Sequence, residues 1–152
     1  MKGADHPPHD DARASVVVVD DEPDVVYLLS LLLERDGFTV AATASDGEQG
    51  IDAVREHQPD VVLLDLAMPT LDGEAALPTL VLEAPRTMVV VLSAHVDPER
   101  ARGLFARGAF AVYEKGDLGA VAEALGDDLA HFRRMLAGEE TMPALRHRYQ
   151  RP

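Results

Sequence analysis

The stretch Val16–Asp24, VVVVDDEPD, places four consecutive valines directly before three acidic residues. A valine run without alternation is typical of a β-strand that is buried on both faces, as in a parallel sheet. Adjacent carboxylates repel one another and resist removal from water, so a purely structural junction of this kind would be costly. The stretch therefore predicts a buried strand that delivers acidic side chains to a site that uses them.

Similar apolar runs recur along the chain, and segments with helical signals separate them. The alternation of strand and helix, five times over, predicts an α/β fold in which helices cover both faces of one parallel sheet. The predicted strands are VVVV (16–19), FTVAA (38–42), VVLL (61–64), VVVL (89–92) and FAVY (110–113).

Capping residues predict where the helices begin and end. The first helix is expected to run from Pro23 through Asp36, with Gly37 at its end. The segment 73–84 is harder to assign because Pro78 is expected to break or kink a helix. The apolar stripe predicted for the first helix is Val25, Leu28, Leu29 and Leu32. The other predicted helix starts are Asp46, Asp97 with Pro98, and Asp117.

Length and composition favour one globular domain, with 152 residues, 47% hydrophobic and 27% charged. The absence of cysteine excludes disulfides, thiol nucleophiles and zinc knuckles. A net charge of -13 argues against binding to nucleic acid, which needs clustered Lys and Arg. No leader sequence and no apolar run long enough for a bilayer are found, so no membrane contact and a cytoplasmic location are expected.

The two ends of the chain differ from its body. Residues 1–14 carry prolines and charges without an apolar period, and we expect a disordered lead-in. Residues 138–152 form a predicted tail that Arg146, Arg148 and Arg151 make locally basic. Either a solvated tail or a docking segment fits this composition. The domain itself is expected to span residues 15–137.

A polar residue follows four of the five predicted strands. These residues are Asp20 and Asp21, Asp65, Ser93 and Lys115. In open parallel sheets, ligands bind outside the carboxyl ends of the strands, so these side chains are expected to converge at one edge.

Each of these residues also has an ordinary structural interpretation. Asp20 or Asp21 could cap the first helix, Ser93 could cap a later one, and Asp65 and Lys115 could belong to turns. Taken together, however, three carboxylates would share one edge with a single lysine, which is unfavourable. Mg²⁺ prefers oxygen ligands and usually takes one or two carboxylates plus phosphate oxygens. A carboxylate beside such an ion can act as a nucleophile and form an aspartyl phosphate.

Four motifs in this order, DDEP, LLDLAMPTLDG, VLSAH and YEKG, resemble the receiver domain of bacterial two-component response regulators. The resemblance implies a flavodoxin-like (βα)5 fold, doubly wound around a parallel five-stranded sheet of order 2-1-3-4-5. It also implies that Asp65 is the phosphoacceptor, that Ser93 is the switch hydroxyl and that Lys115 pairs with the phosphoryl group. The implied Mg²⁺ ligands are Asp20 (through a water), Asp21, Asp65 and the backbone carbonyl of Ala67.

Two departures from the family pattern concern signal output. The position three residues before the lysine, usually Tyr or Phe, is Val112, and the aromatic Tyr113 comes one residue later. Because neighbouring strand residues face opposite sides, Tyr113 is not expected to replace an inward ring at position 112. Gly116 also stands where a proline commonly follows the lysine.

The resemblance implies a phosphorylation-dependent switch that takes its phosphoryl group from a sensor histidine kinase or phosphotransfer protein. Its output is expected through contacts with an unidentified downstream protein or a second copy of the chain. A stand-alone receiver is expected, which is no enzyme beyond its own phosphotransfer and dephosphorylation. The alternatives are a receiver-like interaction module that is not phosphorylated and, third, a Mg²⁺-dependent phosphohydrolase.

Overall fold

The structure is a computed structural model that describes residues 13–68 and 71–139, together with the backbone of residues 149–150. Most of the predicted lead-in (1–14) and most of the predicted tail (138–152) lie outside the described residues. Strand formation begins at Ser15, where the sequence places the start of the folded domain.

All strands of the central sheet are parallel, in the order β2-β1-β3-β4-β5-β6. The predicted order 2-1-3-4-5 is confirmed, but the sheet has one strand more than predicted. This strand, β6, pairs Tyr149 with Val112 of β5, and it is too short for an apolar pattern to reveal it. The strands are β1 (Ser15–Val19), β2 (Thr39–Ala44), β3 (Val61–Asp65), β4 (Met88–Ser93), β5 (Ala111–Glu114) and β6 (Tyr149–Gln150).

Among the described residues, four helices connect the first five strands, and a fifth helix follows β5. Three of the predicted caps are confirmed, because Asp46, Asp97 and Asp117 each accept a hydrogen bond from a backbone N–H three residues later, at 2.8–3.0 Å. The helices are α1 (Pro23–Arg35), α2 (Gly47–His57), α3 (Gly73–Glu83), α4 (Pro98–Ala106) and α5 (Leu118–Leu136).

Helix α3 continues through Pro78, so the expected break does not occur. The carbonyl that would accept from the N–H of residue 78 belongs to Glu74, in the first turn of α3, so the lost hydrogen bond falls at the start of the helix. Asp72 caps that start by accepting from Ala75 N at 2.8 Å. Burial of Leu77 and Leu80 then holds the helix on the sheet.

Two apolar clusters lie on opposite sides of the sheet. One joins α1 and α5 to the sheet and includes Tyr113, and the other joins α2, α3 and α4 to the sheet and includes Val112. The predicted opposition of residues 112 and 113 is therefore confirmed. The predicted stripe of α1 is wrong at Leu28, which is 45% exposed. Leu29 is buried as predicted, and Leu33, which the stripe did not include, is buried as well.

Among the described residues, none of the helices combines the length and the apolarity needed to cross a bilayer.

Candidate functional site

The carboxyl ends of β1 and β3 bring three acidic side chains together. Asp20, Asp21 and Asp65 each offer a carboxylate oxygen, and these oxygens lie within 4.8 Å of one another. Asp20 and Asp65 are buried, whereas Asp21 is exposed. The sheet itself fixes the cluster, because Asp20 N extends the pairing of β1 with β2 by donating to Ala44 O at 3.0 Å.

Lys115 enters this cluster from the end of β5. Its Nζ lies 3.1 Å from Asp65 Oδ1 and 2.8 Å from Asp20 Oδ2, and Glu22 is 3.6 Å away on the solvent side. Lys115 N donates to Ser93 O at 2.9 Å, which holds the lysine beside the end of β4. The structure thus brings together the side chains of Asp20, Asp21, Asp65 and Lys115, and the backbone of Ser93 is hydrogen-bonded beside them.

The structural interpretation of Asp20 and Asp21 as helix caps is not what the geometry shows. Glu22 is the N-cap of α1, and its side chain makes no capping hydrogen bond. Asp20 Oδ1 accepts from Glu22 N at 2.9 Å, and the buried Asp20 Oδ2 forms an ion pair with Lys115 Nζ at 2.8 Å. Asp20 therefore contributes a buried carboxylate to the cluster and is not the cap of α1.

The charges of the cluster do not balance. Burial raises the pKa of Asp65, Lys115 opposes that shift by hydrogen bonding, and the charge of Asp20 adds to it. Burial alone would lower the pKa of Lys115, but its carboxylate partners raise that pKa overall, so the lysine stays protonated. One ammonium group therefore faces three acids, which leaves excess negative charge at the site.

Three clustered carboxylates that share one ammonium group fit a divalent cation that prefers oxygen ligands. Asp20, Asp21 and Asp65 are the residues that would hold it. The backbone of Ala67 lies beside them, since Ala67 N is 3.4 Å from Asp65 Oδ1, and the role of its carbonyl as a ligand stays a prediction.

Ser93 ends β4 and is buried at the same edge. Its hydroxyl donates to the backbone carbonyl of His95 at 3.2 Å. Ser93 is not a helix cap, because Asp97 caps α4. The hydroxyl is thus occupied within its own loop.

The loop after Asp65 is held by a residue to which the sequence motif assigned no role. Gly73 N donates to Leu66 O at 3.0 Å, and a Cβ placed on Gly73 would lie 1.9 Å from the carbonyl oxygen of Asp65. Only glycine allows α3 to begin this close to the acidic residue. The pair Asp72–Gly73 marks the start of a helix in the sequence. The close approach of Gly73 to the backbone of Asp65 leaves no local sequence pattern, so the need for glycine could not be predicted.

An open cleft of about 440 Å³ leads to the acidic cluster from the side of α1. Asp20 and Asp21 line this cleft together with Tyr27, which is 69% exposed. Thr43 of β2 and Gln49 of α2 also line it. Asp20 and Asp21 are therefore reachable from solvent along this side.

Tyr113 lies two residues before Lys115 and points to the other side of the sheet from Val112. Its hydroxyl donates to Asp128 of α5, and the pair is largely enclosed. Burial raises the pKa of Asp128, and the Tyr113 hydrogen bond opposes that shift. Burial and the neighbouring carboxylate likewise raise the pKa of Tyr113. This aromatic ring is thus fastened to α5, on the side of the sheet opposite to Val112.

The hydrogen-bonded pair of Tyr113 and Asp128 predicts that the free energy of unfolding depends on pH. Because the pKa of Asp128 is higher in the folded chain than in the unfolded chain, its contribution to stability is present at acidic pH and is lost as pH rises through the raised pKa. The variant Asp128→Asn keeps an acceptor for Tyr113 but does not titrate. We expect its free energy of unfolding, relative to the natural chain, to improve between about pH 4 and pH 7.

Urea denaturation at both pH values measures this difference, and Glu123→Gln, an exposed acid on the same helix, is the control. A relative stability of Asp128→Asn that stays constant with pH, or falls as pH rises, would contradict the assignment.

The match to a protein family agrees with this geometry. The model of the response regulator receiver domain matches residues 16–124, and the chain belongs to that family. Its fold, its strand order and its place in two-component signalling follow from this membership.

The relatives include receivers attached to an enzyme. The chain is 46% identical over 107 residues to a protein-glutamate methylesterase/protein-glutamine glutaminase of Natronomonas pharaonis, a match that covers 70% of this chain and 27% of that protein. The chain thus spans about a quarter of the length of such curated relatives.

Solved structures show the same architecture. The response regulator domain of CheB from Thermotoga maritima has a TM-score of 0.68 and 25% identity, over 78% of this chain and 95% of that chain. A CheX-CheY-BeF3-Mg²⁺ complex from Borrelia burgdorferi contains a chain with a TM-score of 0.72 and 26% identity, over 75% of this chain and 87% of that one.

Proposed function

We propose that this chain is a phosphorylation-dependent signalling switch in which Asp65 accepts a phosphoryl group from a sensor histidine kinase or a phosphotransfer protein. The observation that carries the proposal is the buried carboxylate of Asp65, with Lys115 Nζ 3.1 Å away, inside a cluster of three acids. A purely structural ion pair would match one acid with one base. Here three acids face one lysine, and a cleft lined by Asp20 and Asp21 opens to solvent.

The chemistry is a displacement at phosphorus. An oxygen of Asp65 attacks the phosphorus of a phosphohistidine, the phosphorus–nitrogen bond breaks, and its electron pair stays with the imidazole. Mg²⁺, when bound by Asp20, Asp21 and Asp65, supplies positive charge beside the phosphoryl oxygens. Lys115 is placed to pair with the same oxygens, since it already contacts the accepting carboxylate.

Ser93 supports a readout of the modified state. Its hydroxyl donates to the carbonyl of His95, so turning toward a phosphoryl group on Asp65 would release that carbonyl in the loop before α4. A charge at Asp65 thereby shifts an equilibrium between two arrangements of this loop. Binding of a downstream protein, or of a second copy, to one arrangement would transmit the signal.

A second candidate is the regulatory receiver of a methylesterase-type protein. It is favoured by 43–46% identity to receivers of such enzymes over 107 residues. Under this proposal the partner of the phosphorylated receiver is a methylesterase catalytic domain. Co-purification with such a domain, dependent on phosphorylation, would distinguish it from a switch that acts on a different downstream protein.

Labelling by a small phosphodonor tests the main proposal. We expect radiolabelled acetyl phosphate with Mg²⁺ to give up to one label per chain, and a chelator to reduce the label by about tenfold or more. The label is expected to be an acyl phosphate, which hydroxylamine removes. A folded chain that takes no label with Mg²⁺ would contradict the proposal and favour the interaction-module alternative, and steady release of phosphate from unrelated esters would favour the phosphohydrolase.

A further inference from the structure

With Val112 at the usual aromatic position, the described residues offer a different connection between the acceptor and α4. Val112 is fully buried among aliphatic side chains on the α2-α3-α4 side. The connection runs instead through a carboxylate, that of Glu74. The inference rests on the proposed function, because it concerns how a phosphoryl group on Asp65 is sensed.

Glu74 is the second residue of α3 and holds two arginines of α4. Its Oε1 lies 2.6 Å from Nη1 of Arg107, and its Oε2 lies 3.3 Å from Nη2 of Arg100. Arg100 is in the first turn of α4 and Arg107 is its C-cap, so one carboxylate fastens both ends of the helix. Exposed ion pairs are usually weak, but two guanidinium groups sharing one acid form a network.

Apolar packing holds α4 only on one narrow face. Ala101 and Leu104 are its buried side chains, and Phe105 is partly buried. The Glu74 pairs add a polar attachment of α4 to α3 beside this apolar one.

Helices α3 and α4, which Glu74 joins, each begin close to the acidic site. Gly73, the neighbour of Glu74, abuts the backbone of Asp65. At the other end, α4 begins five residues after Ser93. These links join Asp65, α3, α4 and Ser93. If Ser93 turns toward Asp65, it releases the carbonyl of His95 in the loop before α4. Any shift of the start of α4 that follows works against the hold of Glu74.

We propose that Glu74 is a positioning residue that holds α4 in the arrangement of the unphosphorylated chain, and that phosphorylation works against this hold. The population of the two arrangements and the affinity for a phosphoryl mimic are thermodynamically linked. If Glu74 stabilises the unphosphorylated arrangement, removing its charge shifts the population toward the other one, and a phosphoryl mimic then binds more tightly.

The test compares Glu74→Gln with Glu83→Gln. Glu83 lies at the other end of α3 and forms a similar exposed pair with Arg55 of α2, at 3.1 Å, so it is a matched control. Beryllofluoride with Mg²⁺ is the probe, and calorimetry measures its affinity because the chain has no tryptophan. We expect Glu74→Gln to bind it about three to ten times more tightly than the natural chain, and Glu83→Gln to stay within about twofold.

Hydrogen exchange without the probe adds a second readout. We expect faster exchange over residues 98–107 in Glu74→Gln and not in Glu83→Gln. Arg107→Gln should also raise the affinity, and combining it with Glu74→Gln should add less than the sum of the two effects. A merely structural role for Glu74 would lower stability without raising affinity.

An affinity of Glu74→Gln that equals or falls below that of Glu83→Gln overturns the inference. The proposed function fails separately, because in that case the natural chain itself does not bind beryllofluoride with Mg²⁺.

Discussion

Replacing Asp65 with asparagine is expected to abolish Mg²⁺-dependent labelling, with a loss on the order of a hundredfold or more, because under the proposed function the carboxylate oxygen is the nucleophile. The amide has nearly the same shape and keeps an acceptor for Lys115, so the fold is expected to persist. Burial and the charge of Asp20 raise the pKa of Asp65, which means that its ionised form is costly in the folded chain at neutral pH. We therefore expect Asp65→Asn, without Mg²⁺, to be at least as stable as the natural chain.

The matched control is Asp46→Asn, which makes the same change at the N-cap of α2, away from the cluster. Asparagine is as good a cap as aspartate, so this variant should keep both its stability and its label. Scintillation counting of the labelled protein and urea denaturation are the measurements. Label that persists in Asp65→Asn would place the acceptor elsewhere.

Replacing Gly73 with alanine is expected to cost about 3 kcal/mol or more in the free energy of unfolding, because the added methyl group meets backbone atoms that cannot rotate away. The new Cβ would lie 1.9 Å from Asp65 O and 3.0 Å from the Cα of Leu66. Relief requires moving either the start of α3 or the end of β3, and the second movement displaces the acceptor. We also expect labelling of the folded fraction to fall about tenfold or more, since small misplacements of a reacting group are costly.

Gly126→Ala is the control for this substitution. An added Cβ at Gly126, inside α5, meets nothing within 4 Å, so alanine is expected to be neutral or to stabilise the chain by up to about 1 kcal/mol through helix propensity. Chemical denaturation of both variants measures the difference. Equal stabilities would show that α3 can withdraw from β3 at little cost.

Local chemistry made most of the fold and the site predictable from sequence. Strands buried on both faces show as uninterrupted apolar runs, as at Val16–Val19, and acidic caps such as Asp46 and Asp97 mark helix starts. Because parallel strands end at one edge of a sheet, the residues after those runs predicted the cluster of Asp20, Asp65 and Lys115 without knowledge of any contact.

The remaining features depend on contacts between distant segments. The pairs of Glu74 with Arg100 and Arg107 span 26 and 33 residues, and no local pattern shows such pairs. Pro78 reads as a helix breaker, yet tertiary packing of its neighbours keeps α3 continuous. The exposure of Leu28 depends on which side of α1 meets the sheet. Six of the seven residues 27–33 are apolar, so the sequence does not show which side of the helix is buried.

The pairing of β6 with β5 bears on how the protein should be handled at the bench. A label attached at β6 (Tyr149–Gln150) would lie beside β5, the strand that leads directly to Lys115. A label attached at Arg13, which is exposed just before β1, would lie at the edge of the sheet opposite the acidic cluster. Labelling at Arg13 therefore leaves the acidic cluster and β5 without a bulky neighbour.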